Sequence, residues 1–166
     1  MGFDLSNSAG ATDQWTSMYW RTMLDTARHY GWAAPGTLPP ENTNPAQWGG
    51  HYMTNDGQLV TAEDAASLAH HLRLAADAPD VERVFNGIYA AYIADANREV
   101  ERILALAAPP PGLFTRLRAA ILGNRPVQEP EVTRAAPEAP HIPLANVVGP
   151  LRKLAAFCEQ GSFRIR

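Results

Sequence analysis

The chain has 166 residues, a net charge of −3 and a single cysteine, Cys158. This length is typical of one domain, which we place at residues 1–166, and it can bury a core without metal or disulfide crosslinks. The mild negative charge argues against a nucleic-acid partner, because such proteins carry a basic patch. No stretch approaches the roughly 20 apolar residues that span a bilayer, and the single thiol fits a reducing cytoplasm.

The first elements predicted in the chain are a short strand and a helix. Phe3-Asp4-Leu5 alternates apolar and polar residues, as a strand does. A turn-forming run then leads to a helix predicted over residues 15–30, with Thr12 or Asp13 as its N-cap. Its apolar residues recur at intervals of three and four, which is the spacing of a helix with one buried face. Gly31 ends this helix, because glycine readily adopts the left-handed conformation after a last turn.

A long irregular segment follows the first helix. Residues 31–50 contain four prolines and four glycines, which exclude a regular helix or a central strand. A loop of this length inside a domain is often functional. Residues 51–60 then predict a β-hairpin, with strands at 52–54 and 58–60 on either side of the Asp56-Gly57 turn signal.

Two further helices are predicted from their end signals and apolar spacing. One runs from Ala62 to about Ala76, with Thr61 as its N-cap and a buried side rich in alanine. The other runs from Val81 to about Ala107, with one apolar stripe along its whole length. Gly87 lies within that helix, and close approach of a neighbouring element would explain it.

The last third of the chain begins with a short amphipathic stretch at residues 113–122 and a Pro-rich, extended segment at residues 123–143. A final helix is predicted from Leu151 to Glu159, opened by Gly149-Pro150. A strand at 163–165 follows it and should pair with the N-terminal strand. Together these elements predict an α+β fold that is mainly helical, with four to five helices and a small antiparallel sheet of the two terminal strands and the 51–60 hairpin.

The segment from residue 32 to residue 58 concentrates aromatic and amide side chains. Rings supply contact area and amides supply directional hydrogen bonds, so such a segment suits recognition. The alternative is that the rings pin the loop onto the core and the amides cap loop backbone groups. The candidate binding residues are Trp32, Asn42, Trp48, His51, Tyr52, Asn55, Asp56 and Gln58.

Catalytic signatures are absent from the sequence, which has no HExxH, CxxC, GxSxG or phosphate-binding loop. His51, Asp56 and Glu63 could converge across the hairpin, but a zinc site needs three or four ligands in matched geometry. Cys158 falls within a helix on an apolar face, where a cysteine packs as a small hydrophobe. We therefore predict no catalytic residue, no metal and no cofactor.

Three stretches carry a resemblance to other proteins. They are GFDLSNSAG at the start, YGWAAPGT with WGGHYMTNDGQLVTAEDAASLAHHL in the middle, and LAAFCEQGSFRIR at the end. Together they resemble a widespread family of small bacterial proteins with no assigned activity, and residues 123–143 lie outside the resemblance. The family has no established catalytic residues, so none is implied for this chain.

We predict a non-catalytic, cytoplasmic binding protein with a protein partner. Its most specific form is an immunity protein, antitoxin-like, that neutralises a bacterial toxin, since small acidic bacterial proteins sometimes have this role. That link is an association and not a physical derivation. Two alternatives stay open: a small-molecule or metal-dependent enzyme with its site at the 32–58 loop, and a phage-related or structural assembly protein. The oligomeric state is not fixed by the sequence.

Overall fold

The computed structural model describes residues 2–107 and 139–166. Within these ranges the fold is α+β and mainly helical, as predicted, and no described helix is long and apolar enough to cross a membrane. The predicted stretch at 113–122 and residues 123–138 of the Pro-rich segment lie outside the described residues. The elements in chain order are β1 (Gly2–Asn7), β2 (Thr12–Thr16), α1 (Ser17–His29), a short 3-10 helix (Pro45–Gln47), β3 (Gln58–Val60), α2 (Ala62–Asp77), α3 (Val81–Ala107), α4 (Leu144–Cys158) and β4 (Phe163–Ile165).

The four strands form one antiparallel sheet in the order β2-β1-β4-β3. The two terminal strands are neighbours, with Leu5 opposite Ile165, which confirms their predicted pairing. One face of the sheet is buried, because the apolar residues of β1 and β4 alternate with polar ones. The opposite face carries Arg164, the charged residue of β4.

The predicted hairpin at residues 51–60 is wrong. Residues 52–54 form no strand, and β3 pairs instead with β4, with Leu59 opposite Arg164. The reason lies in Gln58, whose buried side chain bonds the backbone of the preceding turn. A side chain therefore takes the place of a partner strand, and the free edge of β3 receives only an isolated bridge from Leu38.

The start of the first helix also differs from the prediction. Residues 12–16 form β2, which places Trp15 opposite Phe3 on the buried face of the sheet. The helix begins at Ser17, and Thr16 is its N-cap, accepting a hydrogen bond from the Tyr19 amide at 3.3 Å. Neither Thr12 nor Asp13 has that role. Trp15 fits the two-residue period of a strand and the 3.6-residue period of a helix, because an inward-facing residue just before a helix also lies in phase with the apolar stripe of that helix.

The next two helices have nearly the predicted bounds. The N-cap of α2 is Thr61, whose hydroxyl accepts a hydrogen bond from the Asp64 amide at 3.2 Å. Helix α3 begins and ends as predicted, but its stripe is buried only in the first turns, at Val81, Val84 and Phe85.

The last helix, α4, begins at Leu144 and not at Leu151, so Pro150 lies inside it. A proline within a helix removes one backbone hydrogen bond, which made it a plausible boundary in the sequence. The turn that starts the helix is closed by the Asn146 amide, which donates to the Pro143 carbonyl at 2.8 Å. Leu151, Leu154 and Cys158 are buried, as predicted.

The chain divides into two compact units, residues 1–91 with 140–166, and residues 92–139. In the first unit, a single core joins the buried face of the sheet to α1, α2, α4 and the first turns of α3. Its largest fully buried side chains include Trp20, Phe85 and Phe163. In the described part of the second unit, the end of α3, the predicted apolar stripe is exposed at Val100, Ile103 and Leu104.

Candidate functional site

Residues 31–57 connect α1 to β3, and we call them the connecting loop. A buried carboxylate on α2 holds the loop in place. The Trp32 indole donates a hydrogen bond to Asp64 Oδ1 at 3.1 Å, and the Tyr52 hydroxyl donates to Asp64 Oδ2 at 2.6 Å. Asp64 is 2% exposed. Each carboxylate oxygen therefore receives a donor from a different end of the loop, as a buried polar group requires.

The titration of this group follows from its surroundings. Burial raises the pKa of Asp64, and the hydrogen bonds from Tyr52 and Trp32 act in the opposite direction. Burial and the bond to Asp64 together raise the pKa of the Tyr52 hydroxyl. Tyr52 is consequently a neutral donor at physiological pH, and its oxygen also accepts a hydrogen bond from the Gly36 amide at 3.0 Å.

A second set of contacts folds the middle of the loop back on itself. The Trp48 indole donates to the Thr37 carbonyl at 2.9 Å, and the Thr37 hydroxyl donates to the His51 carbonyl at 2.9 Å. Here Gly36 and Gly50 are in close contact: a Cβ on Gly50 would lie 3.2 Å from the Gly36 Cα, and both residues have positive φ. Glycine is required at this crossing for both reasons.

A third set of contacts ties the end of the loop to the core. The Gln58 side chain is fully buried, and its Nε2 donates to the carbonyls of Thr54 at 2.5 Å and His51 at 3.2 Å. Its Oε1 accepts from the Asp56 amide at 3.0 Å, and the Trp20 indole donates to the Tyr52 carbonyl at 2.8 Å. Side chains thus satisfy the polar backbone groups that a loop without regular structure leaves open.

Two open clefts have Trp48 in their walls. The Arg164 cleft has a volume of about 620 Å³ and includes Glu41, Asn42, Trp48, Asp56, Arg164 and Arg166 in its walls. The His51 cleft has a volume of about 540 Å³ and includes Arg28, Pro35, Trp48, His51 and Met53. The half-buried side chain of Trp48 is common to the walls of both clefts.

The Arg164 cleft carries charges of both signs. Arg164 and Arg166 alternate with the buried Phe163 and Ile165, which places both arginines on the outer face of the sheet. Arg164 Nη1 donates to the Gly57 carbonyl at 2.8 Å, and Nη2 donates to a carboxylate oxygen of Glu41 at 2.9 Å. The cleft can therefore offer ionic and directional contacts as well as an aromatic surface.

The candidate binding residues fall into three places. Trp32, Tyr52 and Gln58 are buried and hold the loop, which is the alternative role considered for them, and Tyr52 also forms part of the wall of the His51 cleft. Asn55 is exposed and donates to the Gly2 carbonyl at 2.5 Å, outside both clefts. The remaining four line the clefts: Asn42, Trp48 and Asp56 in the Arg164 cleft, and His51 with Trp48 in the His51 cleft.

The geometry gives little support to a metal centre or a thiol nucleophile here. In the described ranges, no group of three or more His, Cys, Asp or Glu residues is placed to hold a metal ion, so His51, Asp56 and Glu63 form no such set. Cys158 is 1% exposed, and burial raises the pKa of its thiol, which keeps it protonated. It packs as a small apolar residue.

Sequence reasoning missed Asp64 and Arg164 as members of this region. Asp64 lies four residues before Leu68, on the buried stripe of α2, and a carboxylate at such a position needs donors. Arg164 lies between two buried residues of β4, so alternation alone places it on the open face. Both signals are present in the sequence, but their partners come from distant segments.

Comparisons of the chain with protein-family models, with curated proteins and with solved structures gave no match. The resemblance to a family of small bacterial proteins therefore stays a prediction, and the function has to be argued from geometry.

Proposed function

We propose that this protein is a non-catalytic binding protein that docks a protein partner on the connecting loop, with Trp48 at the centre of the contact. The observation that carries the proposal is the position of Trp48, half-buried in the walls of two open clefts. Its indole N–H already bonds Thr37, so the ring is fixed before any partner arrives. Fixed aromatic side chains surrounded by polar groups are typical centres of protein interfaces.

The rigidity of the loop supports the same function. A flexible loop loses conformational entropy when a partner orders it, and this loss weakens binding. Here Asp64, Thr37 and Gln58 fix the loop from three directions in the free protein. An irregular loop held in this way can present a defined surface to a partner.

The shape of the clefts favours a protein over a small molecule. Small-molecule sites usually enclose most of the ligand and are largely apolar. Both clefts beside Trp48 are open, and the Arg164 cleft has two arginines and two carboxylates in its walls. Polar walls around a central aromatic residue resemble the rim and core of a protein interface.

The most specific form of the proposal is an immunity protein, acting in the cytoplasm, that neutralises a bacterial toxin. The net charge of −3 and the resemblance to small bacterial proteins support this form. Co-expression with the toxin tests it: the wild-type chain restores growth, and Trp48→Ala does not. Equal growth with both variants would argue against the assigned surface.

Site-specific photo-crosslinking tests the general proposal. A photoreactive amino acid replaces Asn42, which lines the Arg164 cleft, and in a control it replaces Arg83, an exposed residue of α3 that lines neither cleft. After irradiation of the source cells, we expect one discrete product of higher mass from position 42 and none from position 83. Equal products from both positions, or none from position 42, would contradict the proposal.

A further inference from the structure

Arg164 is a half-buried arginine that is held by a backbone carbonyl. Its Nη1 is bonded to the Gly57 carbonyl at 2.8 Å, and its side chain is 30% exposed. The backbone contact fixes one edge of the guanidinium group at the wall of the cleft. The other edge, with Nη2, faces the cleft and donates to Glu41.

Glu41 is a weakly held partner for such a group. Its side chain is 82% exposed, and Arg164 is its only hydrogen-bonding partner among the described residues. Ion pairs with so exposed a member add little to stability, because solvent screens them and holding the long side chain costs entropy. A carboxylate can therefore occupy this position, and the one present in the free protein is easily replaced.

We propose that the Arg164 cleft binds a carboxylate side chain of the protein partner in the position that Glu41 occupies in the free protein. This inference rests on the proposed function, and it adds the chemistry of the partner. The contact with Glu41 shows that a carboxylate fits at this edge of the guanidinium group, since Arg164 Nη2 donates a hydrogen bond to Glu41 Oε1 at 2.9 Å. Arginine forks match carboxylates in shape as well as in charge.

The other charges of the cleft narrow the choice of partner segment. Asp56 lines the same cleft, and its side chain has no hydrogen-bond partner in the part of the chain that the structure describes. It repels a run of acidic residues, but it attracts a cation placed beside the bound carboxylate. Arg166 lines the cleft as well and favours the carboxylate. The charges of Arg166 and Asp56 therefore match an acidic residue with a lysine or arginine next to it.

Peptide titration followed by NMR tests this inference on the whole protein. The probes are acetylated and amidated hexapeptides with a central Glu-Lys pair, and matched peptides with Gln-Lys. The signals followed are the side-chain Nε–H of Arg164 and the indole Nε1–H of Trp48. We expect the Glu-Lys peptide to shift both signals and the Gln-Lys peptide to shift neither. Equal shifts with both peptides would overturn the inference.

Two variants and a control sharpen the test. Glu41→Gln removes the internal competitor and should tighten Glu-Lys peptide binding about two- to fivefold, which is the range for an exposed ion pair. Arg164→Gln should abolish the shifts at Trp48, and Arg83→Gln, at an exposed ion pair outside the clefts, should change nothing. If Arg164→Gln does not fold, the Glu41→Gln variant decides the test. Unchanged or weaker binding of the Glu-Lys peptide to Glu41→Gln would contradict displacement of Glu41 by the peptide carboxylate.

Two further outcomes distinguish this inference from a phosphate-binding site and from the proposed function. If inorganic phosphate shifts the same signals more strongly than the Glu-Lys peptide does, the ligand of the cleft is a phosphate group and the carboxylate inference is overturned. If the wild-type protein shows no peptide shifts and crosslinking from position 42 persists in Arg164→Gln, the proposed function stands and the carboxylate inference alone is overturned.

Discussion

At the scale of single residues, Asp64 determines whether the connecting loop keeps its shape. Replacing it by alanine leaves the indole of Trp32 and the hydroxyl of Tyr52 buried without their acceptor. Each unsatisfied buried donor costs about 1–3 kcal/mol, so we expect Asp64→Ala to lower the free energy of unfolding by about 2–5 kcal/mol. Glu63→Ala, an exposed carboxylate one residue earlier, should cost less than about 1 kcal/mol. Urea unfolding of both variants checks the contrast, and equal losses would contradict it.

The raised pKa of Asp64 predicts how stability depends on pH. The folded protein holds this proton more tightly than the unfolded chain, where the value is near 3.8. The resulting stability is complete below that value and is lost as the pH rises through the folded pKa. Asp64→Asn removes the contribution, so the wild type should gain stability relative to Asp64→Asn as the pH falls from about 7 to about 4.

Asp80 serves as a control of opposite sign. The hydrogen bond from Tyr30 and the charge of Arg83 lower the pKa of Asp80. Its contribution is present above the ordinary value of 3.8 and is lost as the pH falls through the folded pKa. The advantage of the wild type over Asp80→Asn should therefore shrink on acidification. If both differences changed in the same direction, the assigned pKa shifts would be wrong.

At the scale of secondary structure, Gly87 and Gly161 form a matched pair. A Cβ added at either position meets no atom within 4 Å, so the close neighbour predicted at Gly87 is absent among the described residues. Gly87 lies inside α3, where alanine should raise the free energy of unfolding by about 0.5–1 kcal/mol. Gly161 has φ +112°, so alanine there should lower it by about 1–2 kcal/mol. Thermal unfolding measures both; a shared sign would contradict the account.

The elements that the sequence predicted well are those with local signals at both ends. Helix α2 has Thr61 as its cap, and Pro79 separates it from α3, so both boundaries depend on neighbouring residues. Strand β2 was missed because Trp15 is its one buried apolar residue, so its sequence does not show the alternation of apolar and polar residues that indicates a strand. The start of α4 was predicted wrongly at Pro150, because tertiary packing of the helix outweighs the loss of one backbone hydrogen bond there.

At the scale of the whole molecule, the parts of the site that were not predicted depend on pairings between distant segments. The Arg164 cleft lies where β4, at the end of the chain, joins β3 and the connecting loop. No local pattern near Leu59 indicates that its partner is Arg164. The set of aromatic and amide residues could be predicted from the composition of the segment. Which of them face inward depends on their hydrogen bonds to Asp64, and these are known only from the structure.

Amide hydrogen exchange followed by NMR tests most directly the claim that the connecting loop is a rigid surface held on the helical scaffold. Three of its amides donate hydrogen bonds to backbone carbonyls of residues distant in sequence: Thr37 to Gly50, Leu38 to Leu59 and Gly57 to Ile165. We expect these amides to be protected in the wild type and to lose protection in Asp64→Ala, with the amides of α2 still protected. Exchange of the three amides at the rate of an unstructured chain in the wild type, beside a protected α2, would contradict the account.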